Sequence, residues 1–299
     1  MPLESVISRR DIDFSLPFFP PEMTALAFTP SWRRLDEPQR IRYAQLYALY
    51  LNEQTAFFEE LLANTVLPAL YQKPEIIGEP LAENLRRFEN EERTHSRWFR
   101  EMNRRVDPQR FSMESGDYVF IPAGGRTRSI ARWMASQPFR FPFWIWLMLL
   151  QEERSISLAR ACLDAADRLE PSFVDLHRRH MADEVDHVRW DLDLIERIWM
   201  PMPLWKRRLH ARLFGGLMAE FFTVPKRSAM VVLEALIGEF PDLAAMAGDF
   251  RREIGGLRHS QAYHESLYSR AINPRCFALF DALPEFRDMG RYLPGYQRP

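Results

Sequence analysis

The sequence predicts an all-α protein, a four-helix bundle core with additional C-terminal helices. Three observations carry that prediction. Glycine is scarce, at 12 of 299 residues, while Leu, Ala, Arg and Glu abound, a composition that favours helix over strand. Long stretches repeat their apolar residues at three- and four-residue steps, the period of a helix face. Two of those stretches carry Glu-x-x-His on the apolar face, Glu92-Arg-Thr-His95 and Glu184-Val-Asp-His187.

The elements follow in order. Residues 1–36 hold several prolines and little periodicity, and read as an extended arm that wraps the domain. A first helix runs from Glu37-Pro38 to about Leu67, with Pro68 near its end. A second runs from about Leu81 to Arg105. There Leu81, Leu85, Phe88, Glu92, His95, Phe99 and Met102 form one stripe, apolar at both ends and ionisable in the middle. Residues 106–137 read as irregular, with Asp107-Pro108 and Gly124-Gly125 as breakers. A third helix spans about Pro142 to Arg168. Its opening run, Phe141 to Leu150, is half the length of a membrane span and is followed at once by Glu152-Glu153-Arg154, so it reads as a buried helix start. Glu170-Pro171-Ser172 begins a fourth helix, which reaches Trp199 and is stopped by Pro201 and Pro203. The remainder reads as a helical extension over 204–271, with helices near 204–221, 226–248 and 256–271, and then a Pro-containing tail. No repeat, low-complexity tract or linker interrupts the chain, so a single domain over 1–299 is expected.

Bulk properties narrow the class. With 40 basic and 41 acidic residues the net charge is −1, which leaves no global basic footprint for nucleic acid. The N-terminal MPLESVISRRDIDFSL lacks the apolar segment of a signal peptide. Cys162 and Cys276 make no disulfide framework and fit a reducing compartment. A cytoplasmic protein with neither nucleic acid nor membrane as partner is expected.

The chemistry rests on one constellation. His180, Glu184 and His187 lie at i, i+4 and i+7, one face of a helix, and share it with Met181, Val188, Ile195 and Ile198. Inward Glu and His on an apolar stripe are costly unless paired or metal-bound. Two helices offering Glu-x-x-His, with a lone carboxylate on each of two others, form the ligand plan of dimetal bundles. Carboxylates bridge paired metals and imidazole is a neutral nitrogen ligand suited to iron. The first helix offers Glu59 or Glu60. Glu59 is preferred because its face carries Ala48, Thr55, Leu62 and Val66, whereas the face of Glu60 also holds Glu53. The third offers Glu152 or Glu153, and periodicity favours Glu152, which lines up with Ile145, Leu149, Ile156, Ala159 and Leu163. Glu91 and Asp183, each preceding a ligand-type Glu, are candidates to orient the imidazoles. The chain's other histidines, His177, His210, His259 and His264, read as surface residues or as neighbours of the site. Trp144, Trp146, Phe57 and Phe58 are candidates for an aromatic pocket, with plain core packing as the competing reading.

These residues resemble the AurF-type arylamine N-oxygenases, the p-aminobenzoate N-oxygenase family of ferritin-like di-iron proteins, over about residues 40–200. The most specific element is the extra histidine of His180-x-x-x-Glu184-x-x-His187. Asn52-Glu53 followed by Glu59 and Leu61-Leu62 is similar to the family's first metal helix, and Glu92-Arg-Thr-His95 to its second. Glu153-Arg-Ser-Ile156, then Pro171 and His180, resembles the third and its run into the fourth. That register selects Glu153 against the periodicity argument for Glu152. The ligand set implied by the resemblance is Glu59, Glu92, His95, Glu153, His180, Glu184 and His187, with no catalytic residue beyond these. The resemblance also implies two Fe ions (with Mn or mixed Mn/Fe as variants), O2 as co-substrate, and N-oxygenation of an aryl or alkyl amine to a hydroxylamine or nitro product. An external electron donor and a homodimer go with it. The alternatives are a di-iron oxygenase acting on carbon, by hydroxylation or oxidative cleavage, and a non-catalytic ferritin-like metal-binding protein.

Overall fold

The computed structural model describes residues 11–112, 118–121, 125–223 and 226–298. Its helices are α1 (Glu37–Leu61), α2 (Leu67–Tyr71), α3 (Pro74–Ile77), α4 (Glu79–Val106), α5 (Gly125–Ala135), α6 (Phe143–Asp164), α7 (Pro171–Leu194), α8 (Leu204–Phe221), α9 (Lys226–Glu239), α10 (Ala247–Gly256), α11 (Gln261–Leu267) and α12 (Pro274–Ala282). No strand occurs among the described residues. The long helices α1, α4, α6 and α7 make the bundle: α1 packs on α4, α6 on α7, and α4 on α7. The fold is all-α and fits the ferritin-like architecture.

Local chemistry sets the helix starts. Asp36 caps α1 in a reciprocal box, its carboxylate accepting from Gln39 N at 2.9 Å while Gln39 Oε1 accepts from Asp36 N at 3.0 Å. Glu170 does the same work for α7, accepting from Ser172 N at 2.7 Å and Phe173 N at 3.1 Å. Gly78, with φ of +85°, makes the sharp turn from α3 into α4, a backbone conformation that other residues rarely adopt. Residues Phe143 to Leu150 are all buried, so the apolar run is a core helix start. Asn52 donates to Asn103 Oδ1 at 2.8 Å and Asn103 to Leu49 O at 2.9 Å, a satisfied polar tie between α1 and α4 in the core. Among the described residues, no helix is long and apolar enough to cross a membrane. Cys162 and Cys276 are buried and free.

The expected elements differ from the observed ones in several places. The first and fourth helices each continue through one π-helical turn, Leu62–Val66 and Ile195–Trp199. The stretch 106–137 contains α5, Gly125–Ala135, in place of the irregular stretch expected there. The helix expected over 226–248 ends at Glu239, before Pro241. The one expected over 256–271 shrinks to α11, capped by Ser260. The tail holds α12, whose Asn273-Pro274 start is a helix-opening signal. The first ten residues of the expected arm, and Gly124, lie outside the described residues. The rest of the arm is a run of short 3-10 turns, Pro21–Met23, Ala25–Phe28 and Pro30–Arg34.

Candidate metal centre

The stripe on α4 and its counterpart on α7 face each other across the bundle, and their ionisable middles meet. Glu92, His95, His180, Glu184 and His187 are each at most 2% exposed. Glu59 of α1 and Glu152 of α6 complete the ring. Three overlapping groups have potential ligand atoms within 4.8 Å of one another: Glu59 with His95 and His180, Glu92 with His95 and Glu184, and Glu152 with Glu184 and His187.

The distances describe two neighbouring subsites. At the first, His180 Nε2 lies 2.9 Å from Glu59 Oε1 and 2.8 Å from Glu184 Oε1. His95 Nδ1 stands 3.5 Å from Glu92 Oε1 and 3.7 Å from Glu184 Oε1. At the second, His187 Nδ1 is 3.5 Å from Glu92 Oε1, 3.6 Å from Glu184 Oε2 and 3.9 Å from Glu152 Oε2. Glu92 and Glu184 therefore lie between the imidazoles of both subsites.

The outer ring nitrogens are held separately. His95 Nε2 meets Asp183 Oδ2 at 3.0 Å and His187 Nε2 meets Glu91 Oε2 at 3.1 Å. Both orienting partners expected from the sequence are thus in place, each on the helix opposite its histidine. Arg87 in turn grips Glu91 at 2.7 Å. His180 Nδ1 meets Ser155 Oγ at 3.2 Å. These contacts turn His95 Nδ1, His187 Nδ1 and His180 Nε2 toward the carboxylates. Phe88 stacks on His187 at 3.7 Å between ring centroids, and Phe99 meets His180 edge-on at 4.9 Å. Toward solvent, a pocket of about 460 Å³ lined by Glu91, Asp183, Trp98 and His95 reaches the outer side of the cluster.

The electrostatics are those of a site short of cations. Burial pushes Glu59 up to about 7, with Glu92 adding to the rise and His180 opposing it. Burial and then Glu184 push Glu152 well above the carboxylate range. Burial works against a charged His180, but Glu184 and Glu59 outweigh it and lift the imidazole to about 10. No protein hydrogen bond reaches either oxygen of Glu92, Glu59 Oε2, Glu184 Oε2, His95 Nδ1 or His187 Nδ1. Buried polar atoms are normally satisfied, so these inward-facing orphans fit a bound metal. Four carboxylates also balance two divalent cations when the imidazoles are neutral.

The residues expected from the sequence are not all brought together. Glu153, the member of its pair favoured by the resemblance, is turned away. Its carboxylate accepts from Arg275 N and Cys276 N, both at 2.9 Å, and so caps the first turn of α12. Glu152 occupies the site, as helix phase alone indicates. Glu60 also lies outside, held by Arg100 and Tyr118. Trp146 is a core residue, edge-on to Trp199 and Phe286, and Phe57 packs edge-on against Tyr118. His177 and His264 are both buried, so neither takes the surface setting, one of the two expected for them. His177 packs near Phe99, and His264 Nε2 meets Arg258 O at 2.9 Å. Asp191 was not singled out from the sequence, yet it is fully buried one turn beyond His187 with neither oxygen hydrogen-bonded. The i+4 spacing from His187 is the sequence signal that could have found it.

No curated protein matches the chain. Residues 8–253 match the family model for the p-aminobenzoate N-oxygenase AurF, and the chain belongs to that family of oxygenases.

Proposed function

We propose that this member of the p-aminobenzoate N-oxygenase family is a two-iron oxygenase that oxidises the nitrogen of an aryl or alkyl amine toward a hydroxylamine or nitro product. The observation that carries this reading is the cluster of four buried carboxylates and three imidazoles, in which both Glu92 oxygens, Glu59 Oε2, His95 Nδ1 and His187 Nδ1 have no hydrogen-bond partner. Glu59, His95 and His180 would hold one ion, Glu152 and His187 the other, and Glu92 and Glu184 would be shared. When bound, the irons supply O2 reduction and oxygen transfer, with an external electron donor restoring the ferrous state. Asp183 and Glu91 hold protons on the outer nitrogens of His95 and His187, which fixes the tautomer that offers Nδ1 inward. Phe88 and Phe99 exclude water from the flanks of the imidazoles.

Protein expressed with ample iron should carry about two irons per chain, the stoichiometry of such a bundle site. After reduction and exposure to O2 with a panel of amines, mass spectrometry should find products heavier by oxygen on nitrogen. Metal-free protein would overturn the metal reading. Oxidation confined to carbon would overturn the choice of substrate atom while leaving the centre intact.

A further inference from the structure

We infer that α8 is a membrane-docking element that lies flat on an anionic lipid surface. Its inner face fills the core through Ala211, Phe214, Gly215 and Met218. Its outer face is apolar as well. Trp205 is 65% exposed, Leu209 49%, Leu213 44% and Phe221 54%. With the half-buried Leu217 they recur at every fourth position, so they form one ridge along the helix. Contiguous exposed apolar surface of this kind marks an interaction site. Among the described residues no helix is long and apolar enough to cross a membrane, so α8 would lie in the plane of the interface.

Charge identifies the occupant. From Leu204 to Ala219 the helix holds Lys206, Arg207, Arg208 and Arg212 and no acid, and its one carboxylate is Glu220, at the far end. The net charge of the whole chain is −1, so the near-neutral total that argues against a membrane partner conceals this block. Arg207 turns inward to Glu285, 3.3 Å away. Lys206, Arg208 and Arg212 stay exposed, and among the described residues none of the three forms an ion pair. Exposed arginines on α4 are matched by contrast, Arg87 with Glu91 and Arg93 with Glu89, both at 2.7 Å. Cations in the first turns of a helix also oppose its dipole, and an anionic surface would offset that cost. Lys206 Nζ lies 5.5 Å from the centre of the exposed Trp205 ring. An indole at the acyl boundary beside an ammonium among the headgroups is how such side chains settle at a membrane interface.

Other occupants fit only part of this face. A second copy packed along the ridge would cover the apolar residues but would gather three unmatched cations from each chain, with one Glu220 apiece to meet them. A nucleic acid would meet the cations through its phosphates and leave Leu209 and Leu213 against water. An anionic bilayer takes both sets of groups at once, the ridge in the acyl boundary and the cations at the phosphates.

Flotation of the full-length chain with phosphatidylcholine vesicles, with and without phosphatidylserine, tests this. The wild type should float with the phosphatidylserine vesicles, stay behind with phosphatidylcholine alone, and be released as salt is raised. Replacing the three exposed cations together, Lys206→Gln, Arg208→Gln and Arg212→Gln, should weaken binding roughly 100-fold, about fivefold for each cation near an anionic surface. Brominated acyl chains should quench part of the tryptophan emission of the bound protein, and Trp205→Phe should remove that quenching. These variants change only exposed side chains and should keep the helical circular dichroism of the wild type. A wild type that does not float, binding indifferent to phosphatidylserine or to the triple replacement, or quenching that survives Trp205→Phe would overturn the inference. So would a dimer that Leu213→Asp dissociates and that vesicles do not bind, which would assign the ridge to a second copy of the chain.

Discussion

At the middle of the bundle, Glu59, Glu92, Glu152 and Glu184 meet imidazoles and one another. Elsewhere, Glu53, Glu153 and Glu170 are as deeply buried but meet backbone N–H groups. Glu53 accepts from Val119, Phe120 and Ile121 at 2.6 to 3.1 Å, Glu153 from the first turn of α12, and Glu170 from that of α7. Burial is therefore no criterion of function in this chain. What separates the two groups is whether the protein itself supplies the hydrogen bonds that a desolvated carboxylate requires. The cap carboxylates are complete as folded. The central ones have no backbone donors and are placed as a set that could hold a metal ion.

The sharpest test of this contrast lies in two adjacent residues. Glu152→Ala should remove at least one of the two irons, read by metal analysis. Glu153→Ala should keep both and instead cost about 1–3 kcal/mol of stability, the penalty for leaving buried donors unmet, read by denaturant unfolding. Iron lost with Glu153 and kept without Glu152 would reverse the assignment. A smaller effect is expected one layer out. Asp183→Ala and Glu91→Ala should each weaken metal affinity ~10- to 100-fold in chelator competition, because the imidazoles lose their orienting partners. Unchanged affinity would show that bundle packing alone aims the rings.

The smallest effect concerns a histidine beside the cluster. Burial, helped by the nearby His180, pulls His177 from 6.5 down to about 3. Its unfolded form therefore takes up a proton first as pH falls. The contribution of a neutral His177 is fully present above 6.5 and is lost between 6.5 and about 3. Metal-free His177→Leu should accordingly lose stability less steeply than the metal-free wild type over that window. Parallel curves would mean that His177 is solvated in the folded protein.

Much of this was legible in the sequence because the helix period carries it. The stripe Leu81, Leu85, Phe88, Glu92, His95, Phe99 and Met102 places its ionisable pair inward before any coordinates are known, and all seven residues are buried. The roles of Asp183 and Glu91 followed from their positions beside Glu184 and Glu92. Periodicity also pointed to Glu152, which the structure places in the cluster, whereas the family resemblance pointed to Glu153, which the structure places on the first turn of α12. What could not be read was tertiary. Nothing near Glu153 in sequence announces that the N–H groups it satisfies belong to Arg275 and Cys276.

The bond between Glu153 and the first turn of α12 has a consequence for the order of events during synthesis. The residue that anchors the C-terminal helix is the immediate neighbour of Glu152, so the two ends of this link share one turn of α6. A nascent chain that has not yet delivered residues 275 and 276 has a buried acid without its donors, one position from the site. The helix carrying Glu152 thus reaches its final form only once residues 275 and 276 have emerged, and a chain cut short before α12 would leave that turn unsecured.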